Sequence, residues 1–165
     1  MPRHPSLVPL SHDHHHSLVL ALRLKKGGPA SQHDNWPNKE TAHAKETLRF
    51  AEMEILPHFR IEEEILFGTI DNDEVRGLEP ELIADHTAIR GLLKELLTRL
   101  QATADTGIAA LLIDIGRLLE AHIRREEREY FPMLESAADP DVLRAIGLKI
   151  LEAHDPESPF RVCKL

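Results

Sequence analysis

The chain contains one ten-residue pattern twice, and both copies carry residue types that bind metal ions. The copies begin at His58 and His122 and share the pattern His-x-Arg-x-Glu-Glu-x-x-x-Phe. In each copy a glutamate, Glu62 or Glu126, follows the histidine by four residues, which is about one helical turn. An imidazole and a carboxylate on one helix face suit iron, manganese or zinc. Two such pairs on two helices predict a metal centre between those helices.

Helical phase separates these two glutamates from the acids that directly follow them. Glu62 and Glu126 lie about 40° around the helix from their histidines, on the same face. Glu63 and Glu127 lie about 140° away from the same histidines. We therefore favour Glu62 and Glu126 as the metal-facing acids.

Two further predicted helices each supply one histidine. On the third helix, His86 is followed by apolar residues at three and seven positions, as expected of a residue on a buried face. The same spacing on the first helix selects His15, whereas a match to the Asp-His dipeptide at 85–86 selects His14. His12 and His16 stay open as alternatives. The predicted ligands are His15, His58, Glu62, His86, His122 and Glu126. The histidines expected at the surface are His4, His33, His43 and His154.

Hydrophobic periodicity and composition predict an all-α fold. Leu, Ile and Ala dominate the apolar residues and aromatic residues make up 4% of the chain, which favours packed helices over sheets. Long helical patterns with short joins predict an antiparallel up-down four-helix bundle over residues 8–135. A short extra C-terminal helix and an irregular tail are predicted over 136–165. The predicted helices are 11–26, 38–67, 80–100, 107–131 and 141–152, with a short turn at 102–106.

The overall composition excludes several classes of protein. The formal net charge of −8 argues against a nucleic-acid partner held by phosphate contacts. Cys163 is the only cysteine, so the sequence has neither a disulfide framework nor a cysteine-based metal motif. No apolar run approaches the ~20 residues of a membrane span, and no signal-peptide core follows Met1. We expect a cytoplasmic protein without a membrane partner.

The ordered set of histidines and acids resembles the hemerythrin-like, or HHE cation-binding, domain family. The resemblance implies an up-down four-helix bundle that holds two non-haem iron ions, with terminal histidines and bridging carboxylates, and with an oxo bridge as one form of the centre. It also implies a small diatomic ligand or a peroxide as the partner, in oxygen binding, in sensing, or in the handling of nitric oxide or peroxides. The matching segments are Asp13-His14-His15, His58 to Glu62, Asp85-His86, and His122 to Glu126 with Tyr130-Phe131-Pro132.

The chain departs from the oxygen-carrying members of that family at two positions. Those carriers have a second histidine four residues after the first on the third helix, where this chain has Arg90. The carriers also place the last carboxylate five residues after its histidine, which would select Glu127, whereas phase and the internal repeat favour Glu126. These departures bring the pattern closer to the broader bacterial HHE group than to the carriers.

Other functions compete with a reactive di-iron centre. One is a metal-responsive regulatory or iron-storage module without turnover, and another is a mononuclear zinc site that activates water for hydrolysis. Zinc or manganese in place of iron fits the same donors, because metal choice also depends on availability. The sequence does not decide between a carrier, a sensor and an enzyme.

Overall fold

The computed structural model of the chain describes residues 2–102 and 107–165, and over these residues the fold is all-α. It confirms the predicted antiparallel four-helix bundle with an extra C-terminal helix. Residues 103–106 of the predicted turn at 102–106 lie outside the described residues. The first bundle helix is α1 (Val8–Lys26), and the third is α4 (Asp73–Gln101). The second bundle helix combines α2 (Glu40–Phe50) and α3 (Leu56–Ile61) with π-helical segments. The fourth combines α5 (Ile108–Arg125) and α6 (Phe131–Ala137) with another π-helical segment. The short helix α7 (Pro140–Ala153) follows the bundle.

The π-helical segments explain how two bundle helices continue through a proline. One segment, Ala51–Ile55, lies directly before the α3 turn that contains Pro57. Another, Glu126–Tyr130, lies directly before the α6 turn that contains Pro132. Proline has no N–H to donate, so a wider π turn just ahead of it lets the chain remain helical. The fourth helix therefore extends past residue 131, where the sequence analysis ended it.

The third bundle helix begins seven residues before the predicted start at Pro80. The Asn72 side chain accepts hydrogen bonds from the backbone N–H groups of Glu74 and Val75, at 3.0 and 3.1 Å. This N-cap starts the helix, and the acids of the first turn suit the positive end of the helix dipole. The prediction was wrong because Pro80 was interpreted as a first helical position, whereas it lies inside the helix. The extra turns place Glu79 in the interior.

Close contact between the first and fourth bundle helices depends on a glycine. A Cβ atom on Gly116 would lie 2.8 Å from the Ala21 carbonyl oxygen and 3.0 Å from Leu24 Cβ. Such distances leave no room for a side chain, so Gly116 allows α5 to pack directly against α1. Gly27 then ends α1 in the left-handed conformation, at φ 63°.

Two apolar clusters divide the interior into layers. One cluster contains Leu20, Ile55 and Ile89, and the other contains Leu10 and Leu82. The predicted metal-binding positions lie between them along each bundle helix. The α7 helix packs its buried face on the second cluster. Among the described residues, none of the helices has the length and apolar character needed to span a bilayer.

Candidate metal centre

Two glutamates, Glu62 and Glu126, form the middle of the polar layer. Both side chains are fully buried, at 0% exposure. None of their four carboxylate oxygens accepts a hydrogen bond within the described residues. A buried charged oxygen without a hydrogen-bond donor is costly, so these acids require a positive partner close to them. Each begins a π-helical segment, the local structure often found at functional sites.

Four buried histidines surround the two glutamates in two pairs. His14 and His58 bring their Nε2 atoms to 2.9 Å from each other. His86 and His122 bring theirs to 3.0 Å. Each pair combines with both glutamates, so that the donor atoms of each group lie within 4.8 Å of one another. The two groups are His14, His58, Glu62 and Glu126, and Glu62, His86, His122 and Glu126.

The carboxylates face both groups at once. Glu62 Oε1 lies 3.1 Å from His58 Nε2, while its other oxygen, Oε2, lies 3.3 Å from His86 Nε2. Glu126 Oε2 lies 3.1 Å from His14 Nε2 and 3.2 Å from His122 Nε2. Each group therefore offers two nitrogens and two carboxylate oxygens around a common centre. The cluster can hold metal ions, and the two glutamates are shared between the two positions.

Every histidine of the cluster has a second carboxylate behind it, facing Nδ1. These outer carboxylates form a closed ring in which each bundle helix supports the histidine of the next helix. The Nδ1–carboxylate distances are 3.0 Å for His58 and Asp13, 2.8 Å for His86 and Glu63, 3.4 Å for His122 and Asp85, and 2.7 Å for His14 and Glu127. A carboxylate only accepts, so it favours a hydrogen on Nδ1 and leaves the Nε2 lone pair facing inward. Two inward lone pairs 2.9 or 3.0 Å apart repel unless a cation lies between them.

Positive side chains in turn hold the outer carboxylates. Arg90 donates to both oxygens of Glu63, at 2.8 and 3.1 Å. Arg90 stands at the position of the second third-helix histidine of the oxygen carriers, and here it holds an outer carboxylate in place. The remaining partners are Arg3 on Glu127, Arg125 on Asp85 and His154 on Asp13.

These surroundings shift the protonation of the cluster in the absence of metal. Burial lowers the pKa of His58, but the nearby Glu62 and Asp13 carboxylates raise it to about 9. Burial likewise lowers the pKa of His122, and the acids beside it raise the pKa to about 9. Burial raises the pKa of Glu62, but its histidine neighbours hold that pKa well below the usual range. Protons therefore compete with metal ions for the inward nitrogens.

Aromatic rings close the site on two sides. Phe59 stacks on His86 with ring centroids 3.8 Å apart, and Phe131 stacks on His14 at 5.4 Å. Beyond the cluster, the buried Tyr130 hydroxyl donates a 2.9 Å hydrogen bond to Glu79. These contacts fix the imidazole planes and shield the donors from solvent.

The structure brings together five of the six predicted ligand residues and leaves His15 out. His15 is exposed, and His14 takes its place in the cluster. The spacing that selected His15 relied on Leu18 and Leu22, but Leu18 is only half-buried and Leu22 is 37% exposed. The Asp-His match between the two halves of the chain selects His14, the histidine that the structure places in the cluster. His12 and His16 are also exposed.

Sequence reasoning also misplaced two histidines. His43 and His154 were expected at the surface, but His43 is buried against the Pro37 carbonyl and His154 contacts Asp13. Glu63 and Glu127 do turn away from their own histidines, as predicted, yet each contacts a histidine of a neighbouring helix. Phase on one helix does not show what lies on the next.

Comparison with known proteins identifies the family. A search of curated proteins and a search of solved structures gave no match. A family model described as the hemerythrin HHE cation binding domain matches residues 7–134. That span includes the first three bundle helices, the fourth as far as residue 134, and every residue of the two donor groups. The chain therefore belongs to the hemerythrin HHE cation-binding domain family.

Proposed function

We propose that the chain holds two non-haem iron ions and uses them to bind, sense or reduce dioxygen, nitric oxide or a peroxide. The observation that carries the proposal is the pair of donor groups that share Glu62 and Glu126. Two cations bound in these adjacent groups would repel each other, and the negative charges of the two shared carboxylates offset that repulsion. Among the described residues, neither carboxylate accepts a hydrogen bond that would satisfy it otherwise.

The spacing of the donor atoms supports six-coordinate ions. Ligands at right angles around a metal at ~2.1 Å lie about 3.0 Å apart, whereas tetrahedral ligands at that distance lie about 3.4 Å apart. Neighbouring donors here lie 2.9, 3.0, 3.1, 3.2 and 3.3 Å apart, with one wider pair at 3.7 Å between His14 and Glu62. Most of these spacings are compatible with a six-coordinate ion, and imidazole together with carboxylate donors suits iron or manganese.

The number of protein donors leaves room for an exogenous ligand. Each group supplies two nitrogens and two oxygens, so a six-coordinate ion keeps two positions for water or a small molecule. Ferrous ions with open positions supply the chemistry of diatomic binding and electron transfer. We expect a cytoplasmic protein, and glutathione and thioredoxin keep that compartment reducing.

Elemental analysis and anaerobic Fe(II) titration test the proposal. We expect two iron ions per chain and a change in ultraviolet–visible absorption when dioxygen, nitric oxide or hydrogen peroxide is added. Iron that binds without any response to these ligands would favour a regulatory or storage module. One zinc ion per chain would refute the di-iron centre, as would failure to bind iron under anaerobic conditions.

A matched pair of variants ties the measurement to the cluster. His122→Ala removes a donor of the second group and should lower the iron content. His15→Ala changes an exposed residue that neighbours the cluster only in sequence, and it should leave iron content unchanged. Equal loss in both variants would contradict the donor assignment.

A further inference from the structure

One of the four outer carboxylates, Asp13, is held by a residue from beyond the bundle. His154 directly follows α7, outside the segment 7–134 that matches the family. Its Nε2 lies 2.9 Å from Asp13 Oδ2. The same carboxylate oxygen lies 3.0 Å from His58 Nδ1. Asp13 is therefore held between a histidine of the donor cluster and a histidine of the C-terminal segment.

Both contacts of His154 require a hydrogen on the ring. Its Nδ1 lies 2.7 Å from the Ile150 carbonyl oxygen, which only accepts. Its Nε2 faces the Asp13 carboxylate, which also only accepts. Both nitrogens therefore donate, and the ring is an imidazolium. His154 thus brings a positive charge to Asp13, as arginines do at the other three outer carboxylates.

The internal repeat shows why this charge comes from outside the bundle. In the second half of the chain, Asp85 is held by Arg125, at 3.1 Å. Arg125 lies three residues after His122, and the equivalent position three residues after His58 is Ile61. Ile61 is fully buried in an apolar cluster, so it cannot hold Asp13. His154 fills the place that an arginine occupies in the other half.

Packing fixes the helix that carries His154. Buried residues on one face of α7 pack against the 3₁₀ turn Pro5–Leu7, which directly precedes the first bundle helix, and against the end of the second bundle helix. A Cβ atom on Gly147 would lie 2.9 Å from Ser6 Cα, so the two segments are in direct contact. This close packing sets the position of the ring relative to Asp13.

We propose that His154 is a positioning residue of the metal centre, which acts through Asp13 to hold the His58 ring with Nε2 inward. The C-terminal segment thereby becomes part of one of the two metal positions. This inference rests on the proposed function, because its effect on metal affinity requires that the cluster bind metal. Its effect on the His58 ring is independent of metal.

Metal affinity provides the first test, by anaerobic Fe(II) titration of the full chain. His154→Leu removes both donors, and loss of an outer partner weakens a metal site about 10- to 100-fold. His154 lies one contact beyond Asp13, the direct partner of His58, so we expect one of the two affinities to fall by about 10-fold, the lower end of that range. His154→Gln retains an N–H donor at the position of Nε2 and should stay within about threefold of the wild type.

Paired substitutions locate the effect. Adding His154→Leu to Asp13→Asn should weaken iron binding little beyond Asp13→Asn alone, because both changes break the same chain of contacts. Adding it to Asp85→Asn should weaken the two positions separately. Arg125→Leu is the matched control and should lower the affinity of the other position. Unchanged affinities in a folded His154→Leu protein would overturn the proposal, as would effects of His154→Leu and Asp13→Asn that simply multiply.

The imidazole NMR signals of the metal-free protein separate this inference from the proposed function. His154→Leu should shift the ¹⁵N and ¹H signals of the His58 ring and leave those of His122 in place. If the wild type binds no iron but these shifts occur, the proposed function fails and the positioning role stands. If iron binds but His58 does not respond, the positioning role is wrong.

Discussion

Replacing Glu62 by glutamine should remove both metal ions at once. The substitution keeps the shape of the side chain but removes the charge that faces both donor groups. Loss of an outer partner alone weakens metal sites about 10- to 100-fold, so loss of a shared ligand should weaken both positions by more than about 100-fold. A histidine such as His86 belongs to only one group, so His86→Leu should remove only one ion.

The size of the effect on stability follows from mass action. An ion present at 100 times its dissociation constant stabilises the folded state by about 2.7 kcal/mol, so two ions contribute about 5 kcal/mol. For a chain of this length each kcal/mol changes the melting temperature by roughly 2–4 °C. Metal should therefore raise the melting temperature of the wild type by roughly 10–20 °C, and that increase should vanish in Glu62→Gln.

Calorimetry with and without Fe(II), together with iron stoichiometry, measures this prediction. Glu64→Gln is the control, because Glu64 lies two residues further along, is exposed, and pairs with Arg60. It should keep both ions and the full thermal shift. A Glu62→Gln protein that still binds one ion tightly would refute the shared role of this carboxylate.

Three further predictions concern protonation and packing. Because the pKa values of His58 and His122 are raised to about 9, their contribution to metal-free stability is complete below about pH 6.5 and is lost as pH rises through 9. Urea unfolding of metal-free protein should therefore give a lower free energy of unfolding at pH 9.5 than at pH 6.5, by roughly 3 kcal/mol per histidine. Iron affinity should rise over the same pH range. Equal free energies of unfolding at the two pH values would contradict the charge assignment. Gly116→Ala should cost about 1–3 kcal/mol in the same assay, because the new methyl group meets the Ala21 carbonyl, and an unchanged midpoint would show that the helices can separate without cost. Tyr130→Phe removes the hydrogen bond to the buried Glu79 carboxylate and should lower the free energy of unfolding by about 1.5–3 kcal/mol. A decrease below about 0.5 kcal/mol would show that water replaces the hydroxyl.

The sequence was sufficient to predict the fold class and most of the inner cluster. His58 with Glu62 and His122 with Glu126 were found because a repeated pair at helical spacing is a local signal. His15 was preferred to His14 because apolar spacing was given more weight than the repeated Asp-His dipeptide. Ser17, which is small and polar, lies on the buried face of the first helix, whereas the apolar Leu22 is exposed. Apolar spacing therefore selected the wrong face of this helix.

Other features depend on contacts that no local pattern records. The early start of the third helix depends on the Asn72 cap, which competes with the stronger boundary signal of Pro80. The contact between Asp13 and His154 joins residues 141 positions apart. Tertiary packing between segments that are far apart in sequence decides whether such a polar side chain is buried or exposed.

The outer ring nevertheless follows from a simple property of helices. Successive residues on a helix point about 100° apart, so a residue next to an inward ligand points towards the neighbouring helix. In this chain each outer carboxylate directly precedes or follows an inward ligand, and each therefore reaches the histidine of the next helix. An acidic residue beside a helical metal ligand thus predicts a contact with the histidine of the neighbouring helix. Phase analysis of a single helix does not use this signal. The adjacent pairs are Asp13 and His14, Glu62 and Glu63, Asp85 and His86, and Glu126 and Glu127.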